Sequence, residues 1–196
     1  MCIPGIMEEF SYTKVDMGWI ASIFSIVYAV GKFVNGYLSD RSDARYFMAT
    51  GLFLSAIVSF FMGFGSGLFF FALLWGLNAC FQSMGWPPCG RLVTHWFSPT
   101  ELGSKWALVA SAHQIGSMAI FAMGGFLIEY YGWRSAFIVP AFLSVGISLF
   151  LINRLRDTPR EVGLPPVEEY KGDVTQVSQS YHDRITLKEV FTVVLA

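Results

Sequence analysis

The chain has 196 residues, of which 54% are apolar, 17% aromatic and only 14% charged, and its net charge is −1. A soluble domain carries about 25% charged residues, so this balance indicates a membrane protein, and it gives no footprint for nucleic acid. Cys2, Cys80 and Cys89 show neither metal-ligand spacing nor a disulfide framework.

Residues 1–16 precede the first apolar segment and lack the pattern of a signal peptide. Five segments then follow, each near or above the roughly 20 residues that cross a bilayer. They cover about 17–39, 47–64, 68–97, 102–128 and 133–152, the third continuing past Pro87 and Pro88. Lipid leaves backbone polar groups no water, so only helices or closed barrels span it. Long, continuous, non-alternating segments predict helices, and the fold class is all-α membrane protein. A charged, Pro-rich stretch opens at about residue 155, and 187–196 begins another apolar pattern.

Lysine and arginine set the expected orientation. Arg41 and Arg45 follow the first segment, Arg91 and Lys105 flank the third connection, and Arg154, Arg156, Arg160 and Lys171 follow the fifth segment. That face is expected to be cytoplasmic, at the cell's inner (plasma) membrane. It leaves residues 1–16 outside, which is simplest if one further helix precedes them. GYLSDRSDAR (36–45) and GFLIEYYGWR (125–134) echo one another three helices apart and on opposite faces. Inverted three-helix repeats are a transporter signature.

Two basic residues stand inside the apolar segments. Lys32 is eight residues before Asp40, and His113 is eight residues after Lys105. Each is therefore about 12 Å from the same membrane face, close to the midplane. Tyr28 lies one turn from Lys32, and Trp86 sits at similar depth before the Pro-Pro pair. No carboxylate lies at that depth, which disfavours a cation carrier and favours an anion, phosphate fitting best. The blander alternatives are that Lys32 snorkels to the surface and that His113, Tyr28 and Trp86 only pack. In the connector, Asp40, Arg41 and Arg45 read either as helix capping and charge anchoring or as a gate in which Asp40 pairs with Arg91.

GYLSDRSDAR resembles the loop motif of the major facilitator superfamily. GWPPCGRLVTHWFSPTELGS (85–104) and RDTPREVGLPPVEEYKGD (156–173) resemble its organophosphate:phosphate antiporter family, nearest to the glycerol-3-phosphate branch, with hexose-phosphate transporters and sensors next. The resemblance implies a twelve-helix fold in two halves, of which this chain covers part. Residues 1–154 would be an N-terminal half without its first helix, 155–186 the central cytoplasmic loop, and 187–196 the start of the second half. It implies that Lys32, His113, Tyr28 and Trp86 face a midplane substrate site, and that Gly36, Asp40, Arg41, Arg45 and Arg91 form the cytoplasmic loop motif. The implied partners are an organic phosphate, inorganic phosphate, the bilayer, and the first helix and second half of the same protein. Val109, Ala110 and Gln114 depart from the glycerol-3-phosphate pattern.

The expected activity is exchange of an organic phosphate for inorganic phosphate by alternating access. The alternatives are a sugar-phosphate sensor of the same fold and a piece that only packs. An enzyme is not expected, because no nucleophile–base pair or metal-ligand set appears. No cofactor is implied, and no G-x-x-x-x-G-K-[ST] loop points to ATP.

Overall fold

The computed structural model describes residues 2–171, and among them every regular element is a helix. They are α1 (Ile3–Phe10), α2 (Lys14–Ser39), α3 (Ala44–Met62), α4 (Leu68–Gln82), α5 (Trp86–Trp96), α6 (Leu102–Tyr131) and α7 (Ser135–Arg154), then a 3-10 turn (Pro159–Val162) and α8 (Val167–Lys171). Five are long and apolar enough to cross a membrane, counting α4 and α5 as one span. The expected segments 17–39, 47–64, 102–128 and 133–152 correspond to α2, α3, α6 and α7. The expected second half from 187 lies outside the described residues.

Local chemistry sets the boundaries. Thr13 and Asp16 form a reciprocal capping box that starts α2 three residues before the apolar run: Thr13 N donates to Asp16 Oδ2 at 2.8 Å, and Asp16 N donates to Thr13 Oγ1 at 3.2 Å. The Asp43 carboxylate caps α3, accepting from Arg45 N at 2.8 Å. The third span breaks instead of running through. Ser83, Met84 and Gly85 form a turn, with Met84 and Gly85 bonding three residues back to Phe81 and Gln82. Pro87 and Pro88 then fall in the first turn of α5, where a missing N–H costs least. They also cannot donate to the carbonyls of Ser83 and Met84 four residues earlier.

α1 has no counterpart among the expected helices, since the sequence sets residues 1–16 apart only as preceding the first apolar segment. Pro4 occupies its first turn. Gly5 lets the helix approach Trp133 closely, since a Cβ there would press on Trp133 Cδ1 at 3.0 Å. Ile6 is buried with Met17, Met62, Phe71 and Trp133, so α1 docks on the ends of α2, α3, α4 and α7. The Phe10 ring lies edge-on to Phe71 at 5.8 Å and to Trp133 at 6.2 Å.

The spans pack as α2 on α4, α3 on α4 and α7, and α6 on α5 and α7. Small and polar residues make the close contacts, as expected where lipid supplies no hydrophobic drive between helices. Asn35 Nδ2 donates to Ser83 Oγ at 2.6 Å, and Ser148 Oγ donates to the Ala49 carbonyl at 2.9 Å. Connectors 40–43 and 97–101 share one end of the bundle with residues 155–157. Residues 2–13, 63–67 and 132–134 share the other. The basic residues Arg41, Arg45, Arg91, Lys105, Arg154 and Arg156 therefore collect at one end.

A central cavity and a latch at the basic end

A cavity of about 420 Å³ lies among α2, α3, the α4–α5 break, α6 and α7. Tyr28 lines it from α2, Ser55 from α3, Gln82 from α4, Trp86 from α5 and His113 from α6, with Met48, Leu52, Val109 and Leu151 as apolar wall. The break at Ser83–Gly85 turns the start of α5 toward α6. The Trp86 and His113 rings meet there edge to face, 5.5 Å apart. Three of the four expected site residues are thus brought to one cavity.

The fourth, Lys32, is not on the lining. It is exposed, and its Nζ lies 4.6 Å from the centre of the Tyr28 ring. Among the described residues its ammonium has no carboxylate partner. Tyr28, stacked on Phe24 at 5.8 Å, thereby joins Lys32 to the cavity edge. None of the lining side chains is a carboxylate. The charged side chain at its edge is the cation Lys32, and the walls beside it are aromatic and amide groups. Among the described residues no group of three or more His, Cys, Asp or Glu side chains is placed to hold a metal ion.

The loop-motif residues form a separate structure at the basic end. The Arg91 guanidinium donates to the carbonyls of Ser39 and Ser42, and to Asp157 Oδ2 at 2.8 Å. Its carboxylate partner here is Asp157 rather than Asp40, which ends α2 as its C-cap. His95 Nδ1 lies 3.2 Å from the Asp157 carbonyl oxygen, and Trp96 Nε1 donates to the Arg156 carbonyl at 3.0 Å. One arginine thus ties three segments: the α2–α3 connector, α5 and the chain leaving α7. Arg41 covers the Tyr37 ring at 3.6 Å and Arg45 the Tyr46 ring at 4.3 Å. Open space lies beside Gly36. Asp157 lies within the quoted stretch RDTPREVGLPP, but spacing alone assigned it no partner.

The opposite end has a second clamp that sequence reasoning missed. Glu9 on α1 accepts from Trp133 Nε1 at 2.8 Å and from Arg134 Nη1 at 2.7 Å, with Arg134 Nη2 on its other oxygen. The Arg134 bond, then the Trp133 bond, holds the Glu9 carboxyl below its ordinary range.

A family model described as "Major Facilitator Superfamily" matches residues 1–196. The chain belongs to the major facilitator superfamily. A similar fold is also seen in a solved structure, a bacterial homolog of the human lysosomal transporter Spinster in an inward-facing, unoccupied conformation. It matches with a TM-score of 0.66 at 18% identity, over 79% of this chain and 38% of that one.

Among superfamily members, a "Probable hexose phosphate transport protein" of Chlamydia pneumoniae is 46% identical over 87% of this chain and 38% of its own length. The "Membrane sensor protein UhpC" of Salmonella typhimurium is 44% identical over 90% and 40%. The "Glycerol-3-phosphate transporter" of Bacillus subtilis is 37% identical over 96% and 44%. The chain spans about two fifths of the length of these curated relatives.

Proposed function

We propose that these residues form one wall of a secondary transporter that exchanges an organic phosphate ester for inorganic phosphate across the inner membrane. A preceding helix and a second six-helix half complete the site, and the basic end faces the cytoplasm. The observation that carries the reading is Lys32: an ammonium without a carboxylate partner, held by Tyr28 at the edge of a cavity that also presents His113 and Trp86. An uncompensated cation in a membrane interior is costly unless an anion arrives to meet it.

Phosphate is the anion best matched to these groups. Lysine offers three N–H donors on a point charge, and histidine donates a hydrogen bond. Both ester and inorganic phosphate present the same head to Lys32 and His113, which is what an exchanger requires. The two halves rock about that head, and the Arg91–Asp157 latch at the cytoplasmic end has to loosen whenever the α2–α3 connector shifts against α5. No covalent step is needed, and the gradients of the two anions drive the flux.

Counterflow tests this. The full-length protein is reconstituted in phosphate-loaded vesicles and challenged outside with glucose 6-phosphate or glycerol 3-phosphate. Ester-driven phosphate efflux is expected, with the apparent affinity falling in Lys32→Ala and in His113→Ala. If neither variant changes ester affinity, the site assignment is wrong. A second reading, a sensor that binds the ester with little flux, is favoured by the 44% identity to a protein named as a membrane sensor. Tight ester binding without efflux would select it.

A further inference from the structure

We propose that Gln82 reads the hydroxyl-bearing part of the ester, and that the buried Asn78 holds Gln82 in position to do so. This rests on the reading above that the cavity takes a phosphate ester. Lys32 and His113 deal with the phosphate head, which leaves unexplained why the same cavity carries a neutral amide at the last residue of α4.

The polarity of that amide follows from its neighbours. Asn78, one turn earlier on α4, is wholly buried. Its Nδ2 donates to the Ser55 carbonyl at 3.3 Å and to Ser59 Oγ at 2.8 Å. A backbone carbonyl only accepts, so the Asn78 nitrogen must face the Ser55 carbonyl, which leaves its oxygen to accept from Ser55 Oγ at 3.5 Å and to face forward along α4. Gln82 Nε2 lies 2.6 Å from that oxygen and donates to it. The Gln82 amide is therefore oriented by a chain of bonds that ends on the α3 backbone. Its own Oε1 takes no hydrogen bond among the described residues, while the residue itself is exposed on the cavity.

An oriented, unpaired carbonyl oxygen repels a phosphate and accepts from a hydroxyl. The Lys32 ammonium at the cavity edge and the Gln82 oxygen on its lining therefore favour different parts of an ester. A merely structural role does not account for Gln82: Asn78 with Ser55 and Ser59 already ties α4 to α3. A site built to bond a substrate hydroxyl penalises the analogue that lacks it, because its own polar group is then left unmet. Gln82 is accordingly a specificity-determining residue, and Asn78 is its positioning residue.

The test is a ratio measured on the full-length protein in vesicles. Binding is read as displacement of labelled inorganic phosphate by glucose 6-phosphate and by propyl phosphate, which has the same phosphate head and no hydroxyl. In the wild type, glucose 6-phosphate should displace at the lower concentration. In Gln82→Leu the preference for glucose 6-phosphate over propyl phosphate should fall about tenfold, the worth of one hydrogen bond. In Asn78→Ala it should fall in the same direction by a smaller factor, as a change in half-displacing concentration rather than in maximal rate. Gln82→Met, with closely similar volume, gives the same reading if the leucine variant fails to fold. A preference that survives both Gln82→Leu and Gln82→Met overturns this inference alone. A wild type that binds neither compound overturns it together with the function on which it rests.

Discussion

Replacing Arg91 by alanine should unlock the basic end of the bundle. The guanidinium holds two backbone carbonyls, Ser39 and Ser42, and the Asp157 carboxylate at 2.8 Å; the two side chains are only 15% and 14% exposed. Removing one partner of a largely buried pair leaves the other charge without compensation and costs about 3–5 kcal/mol. For a chain of this size, about 2–4 °C of melting temperature accompanies each kcal/mol, so the expected fall is about 6–20 °C. Asp157→Asn keeps an acceptor and loses only charge assistance, which should cost about half as much. Arg91→Lys should resemble alanine more than arginine, because one compact ammonium cannot reach acceptors on two separate segments. The assay is thermal unfolding in detergent, followed with a thiol-reactive dye on the unpaired Cys2, Cys80 and Cys89. The double variant should fall short of the summed single effects by about 1 kcal/mol or more. Additive single effects, or an Arg91→Ala protein that melts within about 1 °C of the wild type, would refute the latch.

Three further outcomes are expected. Because the Glu9 carboxyl titrates below its ordinary range in the folded protein, its contribution is present above the unfolded value and is lost as pH falls through the folded one; Trp133 fluorescence should report α1 undocking in acid, and Glu9→Gln should remove that pH dependence. Gly31→Val places a Cβ 2.4 Å from Ser83 Oγ and disrupts the Asn35–Ser83 bond between α2 and α4; overpacking of about 1–3 kcal/mol should appear as a lowered melting temperature, whereas an unchanged one would mean that the helices part freely. Tyr28→Leu removes the ring beneath Lys32 and should weaken glucose 6-phosphate binding about two- to fivefold, with Tyr28→Phe closer to wild type; equal losses in the two variants would show that the hydroxyl, and not the ring, matters.

Five spans were legible from length and apolarity alone, because lipid forces continuous helices and excludes other solutions. The break in the third span was half legible. Pro87 and Pro88 marked a disturbance, but the turn falls before them, where Gln82 and Phe81 take the bonds. Helix α1 was not legible, since it is short and is held by packing of Ile6 against Met17, Met62, Phe71 and Trp133, which only the tertiary structure brings together.

Counting residues from the helix ends placed Lys32, His113 and Trp86 at similar depth, with Tyr28 one turn from Lys32, because rise per residue is nearly constant. Depth does not specify azimuth. Only the packed bundle shows that Trp86 and His113 meet edge to face and that Lys32 reaches the cavity edge through the Tyr28 ring. The same limit explains the Arg91 pairing. Sequence placed Asp40 nearby, but its backbone caps α2, and the side chain that reaches Arg91 comes from Asp157, 66 residues away. It explains Gln82 as well, whose orientation is dictated by a carbonyl on another helix. What the amino-acid sequence determined by itself is the set of spans, their ends and the depth of each buried polar group, all consequences of local geometry and solvent. Which groups meet, and with what hydrogen-bond polarity, depends on helix rotation and close approach, and those were decided by the tertiary structure.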